Sequence, residues 1–191
     1  MRRFALVVAV VLVALAGVAA VLATRPSRSA AHVPLATARF RGGISLRYPA
    51  AWTRSDWCQG GMHVQPIGLL TSAHPGPKCK PRASSVSWPP SERLGANDVA
   101  VSLAAEGPPM WHISEFQSNA RIGGRPAFLS KPGYGTCPGG QKGEGLAVEI
   151  VPPGWTGGFL LGQASICGPD LAANEAAVRD LFTSIRFSRS R

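Results

Sequence analysis

Four cysteines are the residues whose spacing says most about the chemistry of this sequence: Cys58, Cys79, Cys137 and Cys167. No two of them have the C-x2-C spacing of a zinc ligand pair or a redox motif. An even number of cysteines behind an apolar N-terminal segment is typical of disulfides in an oxidising compartment. Of the three possible pairings we predict Cys58–Cys79 and Cys137–Cys167, because each closes a moderate loop between neighbouring segments.

The histidines and carboxylates form no recognisable catalytic or metal-binding motif. No histidine has a second ligand at i+2, i+3 or i+4, so we expect surface or half-buried side chains. These histidines are His32, His63, His74 and His112. H-E-x-x-H, G-x-S-x-G and a helix-opening G-x-G-x-x-G are absent from the sequence.

Several carboxylates could act as the acid of a Ser/His/acid triad, but no sequence motif identifies a nucleophilic serine. They are Asp56, Asp98, Glu115, Glu144 and Glu149. We therefore predict no catalytic residue, no metal ligand and no cofactor.

The glycine-rich residues 135–142 superficially resemble a phosphate-binding loop. Gln141 stands where such a loop has a glycine before its lysine, no serine or threonine follows Lys142, and no helix is predicted after it. We predict a loop that is tied down by Cys137.

Tryptophans are the remaining residues with binding potential. We predict Trp52 in the core, and Trp57 stacked beside Cys58. Trp88 and Trp155 neighbour proline-rich loops, where partly exposed aromatics can contact sugars, peptides or lipids.

Residues 4–23 form an uncharged apolar run preceded by Arg2 and Arg3. As a helix this run would extend about 30 Å, the thickness of a bilayer's hydrocarbon core. We predict an uncleaved signal anchor that places the following domain outside the cell membrane. The alternative is a signal peptide cleaved after Ala23 or Ala31, which would release a secreted protein. No cysteine lies near the end of the run, which excludes an acylated lipoprotein cysteine.

The formal net charge of +10 invites a nucleic-acid hypothesis, but its distribution argues against one. Between residues 37 and 187 there are 14 basic and 10 acidic residues. Six arginines lie near the apolar run or in the C-terminal tail: Arg2, Arg3, Arg25, Arg28, Arg189 and Arg191. Lys78, Lys80 and Arg82 indicate a solvated loop. A weak electrostatic attraction between an anchored domain and anionic lipid or cell-wall polymer is an alternative role for these basic residues.

Alternating apolar and polar residues predict strands in the domain. The clearest cover residues 44–48, 99–103 and 146–150. Gly123-Gly124 marks a hairpin turn, and residues 158–167, apolar on both faces, predict a central strand. Pro66 is expected to break residues 62–71 or confine them to an edge. Residues 131–145 are predicted to be one long loop.

One soluble helix is predicted near the C-terminus, with Asp170 as its N-cap. The apolar residues that share one helical face are Leu171, Val178, Leu181, Phe182 and Ile185. An antiparallel β-sheet with a C-terminal helix packed on it defines an α+β fold. We divide the chain into a signal anchor or signal peptide (1–24), a linker (25–37) and an extracytoplasmic domain (38–188).

Three blocks of the sequence resemble a known family. F-x-x-x-I-S-L-R-Y-P-x-x-W at residues 40–52 resembles the opening hairpin of the PsbP/Mog1-like fold, as found in secreted actinobacterial proteins. I-G-G-R-P-A at 122–127 resembles its middle hairpin, and S-I-R-F at 184–187 its closing segment. The resemblance implies a sheet flanked by helices and a binding or assembly role with no catalytic residues to carry over. The four cysteines and the weak helical signal between Trp52 and Val99 depart from the family pattern.

Together these observations predict a membrane-tethered extracytoplasmic binding or assembly module of the bacterial cell envelope. Its expected partner is an envelope protein or polymer, with the membrane contacted through the N-terminal helix and no nucleic acid. The alternatives are an envelope hydrolase with a dispersed Ser/His/acid site and a lipid or small-ligand carrier. The carrier would need an apolar cavity between sheet and helix.

Overall fold

The computed structural model describes most of the domain that follows the N-terminal segment. Contacts divide the chain between His32 and Val33, and all described residues belong to the second unit. They are residues 33–55, 64–73, 94–95, 97–107, 117–135, 137, 142–156, 158–168 and 170–188. The predicted anchor, residues 1–24, lies outside them. No helix in this described part of the chain is long and apolar enough to cross a membrane.

The described residues form antiparallel strands and, near the C-terminus, an α-helix. The strands are β1 (Leu35–Arg39), β2 (Ile44–Pro49), β3 (Thr53–Ser55), β4 (Val64–Thr71), β5 (Val99–Glu106), β6 (Ala120–Ile122), β7 (Arg125–Leu129), β8 (Gly133–Tyr134), β9 (Gly143–Ile150), β10 (Phe159–Cys167) and β11 (Arg186–Phe187). The helix is α1 (Leu171–Thr183), and a 3-10 turn (Arg41–Gly43) joins β1 to β2.

A small sheet has the strand order β1-β2-β11. Ala38 pairs with Leu46 across β1 and β2, and both side chains are buried together with Ile44. Gly42 and Gly43 adopt φ values of 74° and 70°, which only glycine adopts readily, so this pair sets the turn between the strands. The sheet therefore has one apolar inner face.

A large sheet of eight strands has the order β3-β4-β5-β10-β9-β7-β6, with β8 paired to β9 beside β7. The prediction of a central strand is confirmed by β10, which lies between β5 and β9. The hairpin at Gly123-Gly124 is also confirmed: it joins β6 to β7 with φ values of 58° and 79°.

The helix α1 fills the space between the two sheets' inner faces. Val178, Leu181 and Phe182 are buried, and α1 contacts β2, β9 and β10. One core thus contains residues of both sheets and of the helix. This confirms the β-rich α+β architecture with a C-terminal helix, whose stability rests mainly on apolar burial.

Three local features differ from the sequence-based expectations. Residues 131–145 are not one long loop, because β8 lies within them and β9 begins at Gly143. Asp170 occupies the N-cap position but its side chain makes no capping hydrogen bond. β1 begins at Leu35, inside the predicted linker.

The effect of Pro66 is visible in β4. The pairing of β4 with β5 shifts register between Pro66 and Gly68, so the strand contains an irregularity of the β-bulge type there but continues through Pro66 without a break. β3 pairs only with Leu69, Leu70 and Thr71, which leaves the Pro66 part of β4 at the sheet edge within the described residues.

Candidate functional site

The predicted Cys137–Cys167 disulfide is present, with its Cα atoms 5.8 Å apart. Cys167 ends the central strand β10 and is fully buried. A Cβ at Gly143, the first residue of β9, would overlap Sγ of Cys137, so the bond depends on a glycine there. The other predicted pair, Cys58–Cys79, lies outside the described residues.

The disulfide belongs to a second apolar cluster, separate from the main core. Leu69, Leu94, Ala100 and Cys167 are buried in it, and Ala73 and Cys137 pack against them. In this cluster the bond fixes the end of the sheet's central strand. Its role is structural.

Asp98, one of the candidate triad acids, has a structural role as well. Its carboxylate accepts hydrogen bonds from Ser72 Oγ and from the backbone N–H of Gly95. Ser72 Oγ in turn accepts a bond from the N–H of Val99 at 2.8 Å. The carboxylate therefore fastens the start of β5 to the end of β4 through the hydroxyl of Ser72, which is itself held by the N–H of Val99.

Glu144, a second candidate, is opposite Ile166 on β10 and Tyr134 on β8. Its Oε2 is buried and accepts no hydrogen bond within the described part of the chain. Tyr134 is 94% exposed. No group of three or more His, Cys, Asp or Glu side chains among the described residues has the arrangement of a metal site.

Glu149, a third candidate, is brought close to Glu106, a residue that sequence reasoning did not single out. Glu106 on β5 pairs with Phe159 of β10, and Glu149 on β9 pairs with Leu161 of β10. Paired residues in an antiparallel ladder share a face, and Phe159 and Leu161 flank the core residue Leu160. Both carboxylates therefore project from the outer face of the large sheet, on either side of the central strand.

Apolar neighbours determine the electrostatics of these two carboxylates. Phe128 on β7 pairs with Glu149 and is 36% exposed. Burial raises the pKa of Glu149 above its ordinary value. Burial, and then the charge of Glu149, raise the pKa of Glu106. We call Phe128, Glu106 and Glu149, together with the buried Phe159 and Leu161 that they flank, the carboxylate face.

The carboxylate face can favour a cationic group. Desolvation and mutual repulsion both disfavour the charged form of Glu106 and Glu149, and a nearby cation would counter both effects. Within the described residues neither carboxylate forms an ion pair. The ion pair that is present there joins Arg179 to Glu175 on α1.

The space between the helix and the large sheet is closely packed where a small-ligand carrier would need a cavity. A Cβ at Gly162 on β10 would lie 2.7 Å from Cγ1 of Val148 and 2.9 Å from Cε1 of Phe182. Such distances leave no room for even one added methyl group without movement. Trp52 and Trp155 pack against this same core.

The remaining candidate residues lie outside the described residues. These are His32, His63, His74, His112, Asp56 and Glu115. Of residues 135–142, the described Lys142 is followed directly by strand β9 rather than by the helix of a phosphate-binding loop.

A signal for Glu106 existed in the sequence but was incomplete. The alternation of Val99, Val101 and Leu103 assigns Glu106 to the opposite face of β5. Nothing in one sequence states that β5 and β9 flank the same strand. The proximity of Glu106 to Glu149 follows only from that topology.

Comparison with known proteins assigns no family to this chain. No family model matches it, and no curated protein matches its sequence. The PsbP/Mog1-like resemblance stays a prediction from the sequence.

Proposed function

We propose that this chain is a membrane-tethered extracytoplasmic binding module of the bacterial cell envelope, without enzymatic activity. The observation that carries the proposal is the Cys137–Cys167 disulfide at the end of the central strand. Structural disulfides of this kind persist in oxidising compartments outside the cytoplasm. The apolar residues 4–23 precede β1 by a short linker and have the length of a membrane anchor.

The partner's chemistry follows from the carboxylate face. Glu106 and Glu149 are held beside Phe128 and are disfavoured as anions in the free domain. A partner that carries lysine or arginine side chains would stabilise their charged forms, while Phe128 would contribute apolar contact area. We propose a basic segment of an envelope protein as the ligand of this face.

Membership of the PsbP/Mog1-like fold is part of the proposal. The three resembling blocks cover the β1–β2 turn with the whole of β2, the β6–β7 hairpin and the α1–β11 segment. Each block therefore includes a turn or a helix end of the observed fold together with an adjoining strand. Binding and assembly roles, which the resemblance implies, agree with the proposed activity.

The location is tested by producing the full chain in a bacterial envelope. We expect it in the membrane fraction, with the domain removed by external protease and no thiol labelled by maleimide before reduction. A soluble chain that begins after Ala23 or Ala31 would contradict the tether. Free Cys137 and Cys167 thiols would contradict the compartment.

The binding surface is tested by photo-crosslinking in the same cells. Benzoylphenylalanine at Phe128 should capture an envelope protein, whereas the same residue at the exposed Thr183 on α1 should not. Glu106→Gln with Glu149→Gln should abolish the capture. Equal capture from both positions would contradict a specific carboxylate face.

An envelope hydrolase is the second candidate, since carboxylates with raised pKa suit general acid catalysis. A fluorophosphonate probe, which reacts with activated serines, separates the two functions for the Ser/His/acid form of this alternative. The binding module should remain unlabelled. A labelled serine whose reaction is lost in Glu149→Gln would establish the hydrolase instead.

A further inference from the structure

The outer face of the small sheet carries three arginines in a fixed pattern. Arg39 on β1 and Arg186 on β11 both pair with Ser45 of β2. Arg47, two residues farther along β2, pairs with Thr37. Paired residues share a face, and residues two apart on one strand share it too, so the three arginines point the same way. All three are exposed.

These arginines have no acidic counterpart. The strands β1, β2 and β11 contain no aspartate or glutamate. Within the described residues no salt bridge involves Arg39, Arg47 or Arg186, and the side chains of Arg39 and Arg47 make no hydrogen bond. We call Arg39, Arg47 and Arg186, with the hydroxyls of Thr37 and Ser45, the arginine face.

Part of the arginine face is held in place by the fold. Nη1 of Arg186 donates to the carbonyls of Thr183 and Ile185, at 2.9 and 2.8 Å. Beside β1, Arg54 donates from Nη1 to the Arg39 carbonyl and lies 4.6 Å from the ring centre of Phe40. Its guanidinium adds a further positive charge near the backbone of Arg39, held by the carbonyl and the ring.

The spacing of the arginines suits phosphate groups. Strands two apart in a sheet are separated by about 9–10 Å, and the small Ser45 between Arg39 and Arg186 leaves that space open. Guanidinium groups bind phosphate oxygens through paired N–H donors. The arginine face therefore offers phosphate sites separated by small hydroxyl side chains.

The position of this sheet in the chain favours lipid phosphates as the occupant. β1 begins 12 residues after Ala23, the last residue of the apolar run, so even a fully extended linker spans only about 40 Å. Arg25 and Arg28 precede β1 in the sequence, and Arg189 and Arg191 follow β11. The first and last strands of the domain, β1 and β11, thus both belong to the small sheet, and arginines flank both strands in the sequence. Juxtamembrane arginines are attracted to anionic lipid surfaces.

We propose that the arginine face docks on the anionic lipid headgroups of the membrane in which the chain is anchored. The proposal rests on the tether of the proposed function. The core separates the arginine face from the carboxylate face, because the inner faces of both sheets contribute to the same core. Docking would therefore leave Glu106, Glu149 and Phe128 free for a partner.

The test is a chemical footprint of the full chain in vesicles of phosphatidylcholine alone or mixed with phosphatidylglycerol. Phenylglyoxal adducts at single arginines are measured by peptide mass spectrometry. Arg39 and Arg47 should react at least threefold more slowly in the anionic vesicles, and high salt should remove that protection. Arg121, exposed on β6, is the internal reference and should react equally in both.

Equal reactivity of Arg39 and Arg47 in both vesicles would overturn the proposal. Protection that appears only when soluble poly(glycerol phosphate) is added to neutral vesicles would overturn it in favour of an anionic polymer. Flotation separates failure of the tether from failure of the face. A chain that does not float with phosphatidylcholine vesicles lacks the anchor, whereas the footprint reports on the arginines.

Discussion

The side-chain amide of Asn119 pairs with the backbone of Leu129 at both its donor and its acceptor. Nδ2 of Asn119 donates to the Leu129 carbonyl, and Oδ1 accepts from the Leu129 N–H, each at 2.8 Å. The last pair of the β6–β7 ladder is Ala120 with Ala127, so this amide binds the backbone of β7 two residues beyond that pair. It covers backbone groups that an edge strand would otherwise leave unpaired.

Asn119→Ala should therefore destabilise the domain by about 1–3 kcal/mol, since it removes two hydrogen bonds and leaves two backbone groups without a partner. Asn119→Asp keeps the acceptor and loses the donor, so its effect should be intermediate. Urea unfolding curves of the full chain measure both. An unchanged unfolding free energy in Asn119→Ala would show that water replaces the amide at no cost.

Removal of the disulfide should be costly. Cys137 and Cys167 are separated by 30 residues, and closing a loop of that length stabilises a fold by about 2–4 kcal/mol. The double variant Cys137→Ala with Cys167→Ala should lose this amount in chemical unfolding. A reductant that breaks this bond in the native chain should have no such effect on the unfolding free energy of the variant. A double variant as stable as the native chain would show that Leu69, Leu94 and Ala100 alone hold the end of β10.

Gly162→Ala should destabilise the domain by about 1–3 kcal/mol, because the added methyl group would press on Val148 and Phe182. Gly133→Ala is the matched control, since nothing lies within 4 Å of a Cβ at that position. Thermal unfolding of the two variants should differ clearly. Equal melting temperatures would indicate free space between α1 and β10, as a ligand carrier would require.

The carboxylate face should make stability depend on pH in a defined direction. The pKa values of Glu106 and Glu149 are raised in the folded state, so folding favours their protonated forms. Their contribution is fully present below the unfolded pKa, near 4.5, and is lost as the pH rises through the folded value. Glu106→Gln should therefore raise the melting temperature at pH 7, with the gain shrinking below pH 4.5.

The control for this pH dependence is Asp180→Asn on the exposed surface of α1, which should show no such gain at pH 7. A melting temperature of Glu106→Gln below that of the native chain at pH 7 would mean that the carboxylate has an unrecognised cationic partner. Making Glu106→Gln in a Glu149→Gln background tests the repulsion between the two charges. The gain in melting temperature at pH 7 should then be smaller than in the native background.

Local patterns predicted much of the fold. The alternation in β2, β5 and β9 and the two-sided apolar character of β10 depend on residues close in sequence, and so does the amphipathic α1. The Gly123-Gly124 turn is equally local. The arrangement of strands was not predictable in this way, because the pairing of β5 with β10 joins residues about sixty positions apart.

The candidate surfaces follow from that long-range arrangement. Glu106 and Glu149 share a face only because β10 separates β5 from β9. Arg39 and Arg186 lie in one row only because β11 returns to the free side of β2. In the sequence these glutamates and arginines are isolated charged residues, and only the order and register of the strands place them on common faces.

The attachment of the N-terminal segment to an edge strand has a mechanical consequence. A pulling force that arrives through Val33 acts first on the hydrogen bond from the Ala50 N–H to the Pro34 carbonyl, and then on the pair Leu35 and Pro49 at one end of the β1–β2 ladder. The five pairs of this ladder would then open one after another toward the turn at Arg41–Gly43, which requires less force than shearing them all together. Of the side chains of β1 only Ala38 is buried, so release of β1 would lengthen the connection to the N-terminal segment by about 16 Å while β2, α1 and the large sheet keep their packing. The first strand would thus act as an extensible element between the N-terminal segment and the folded core.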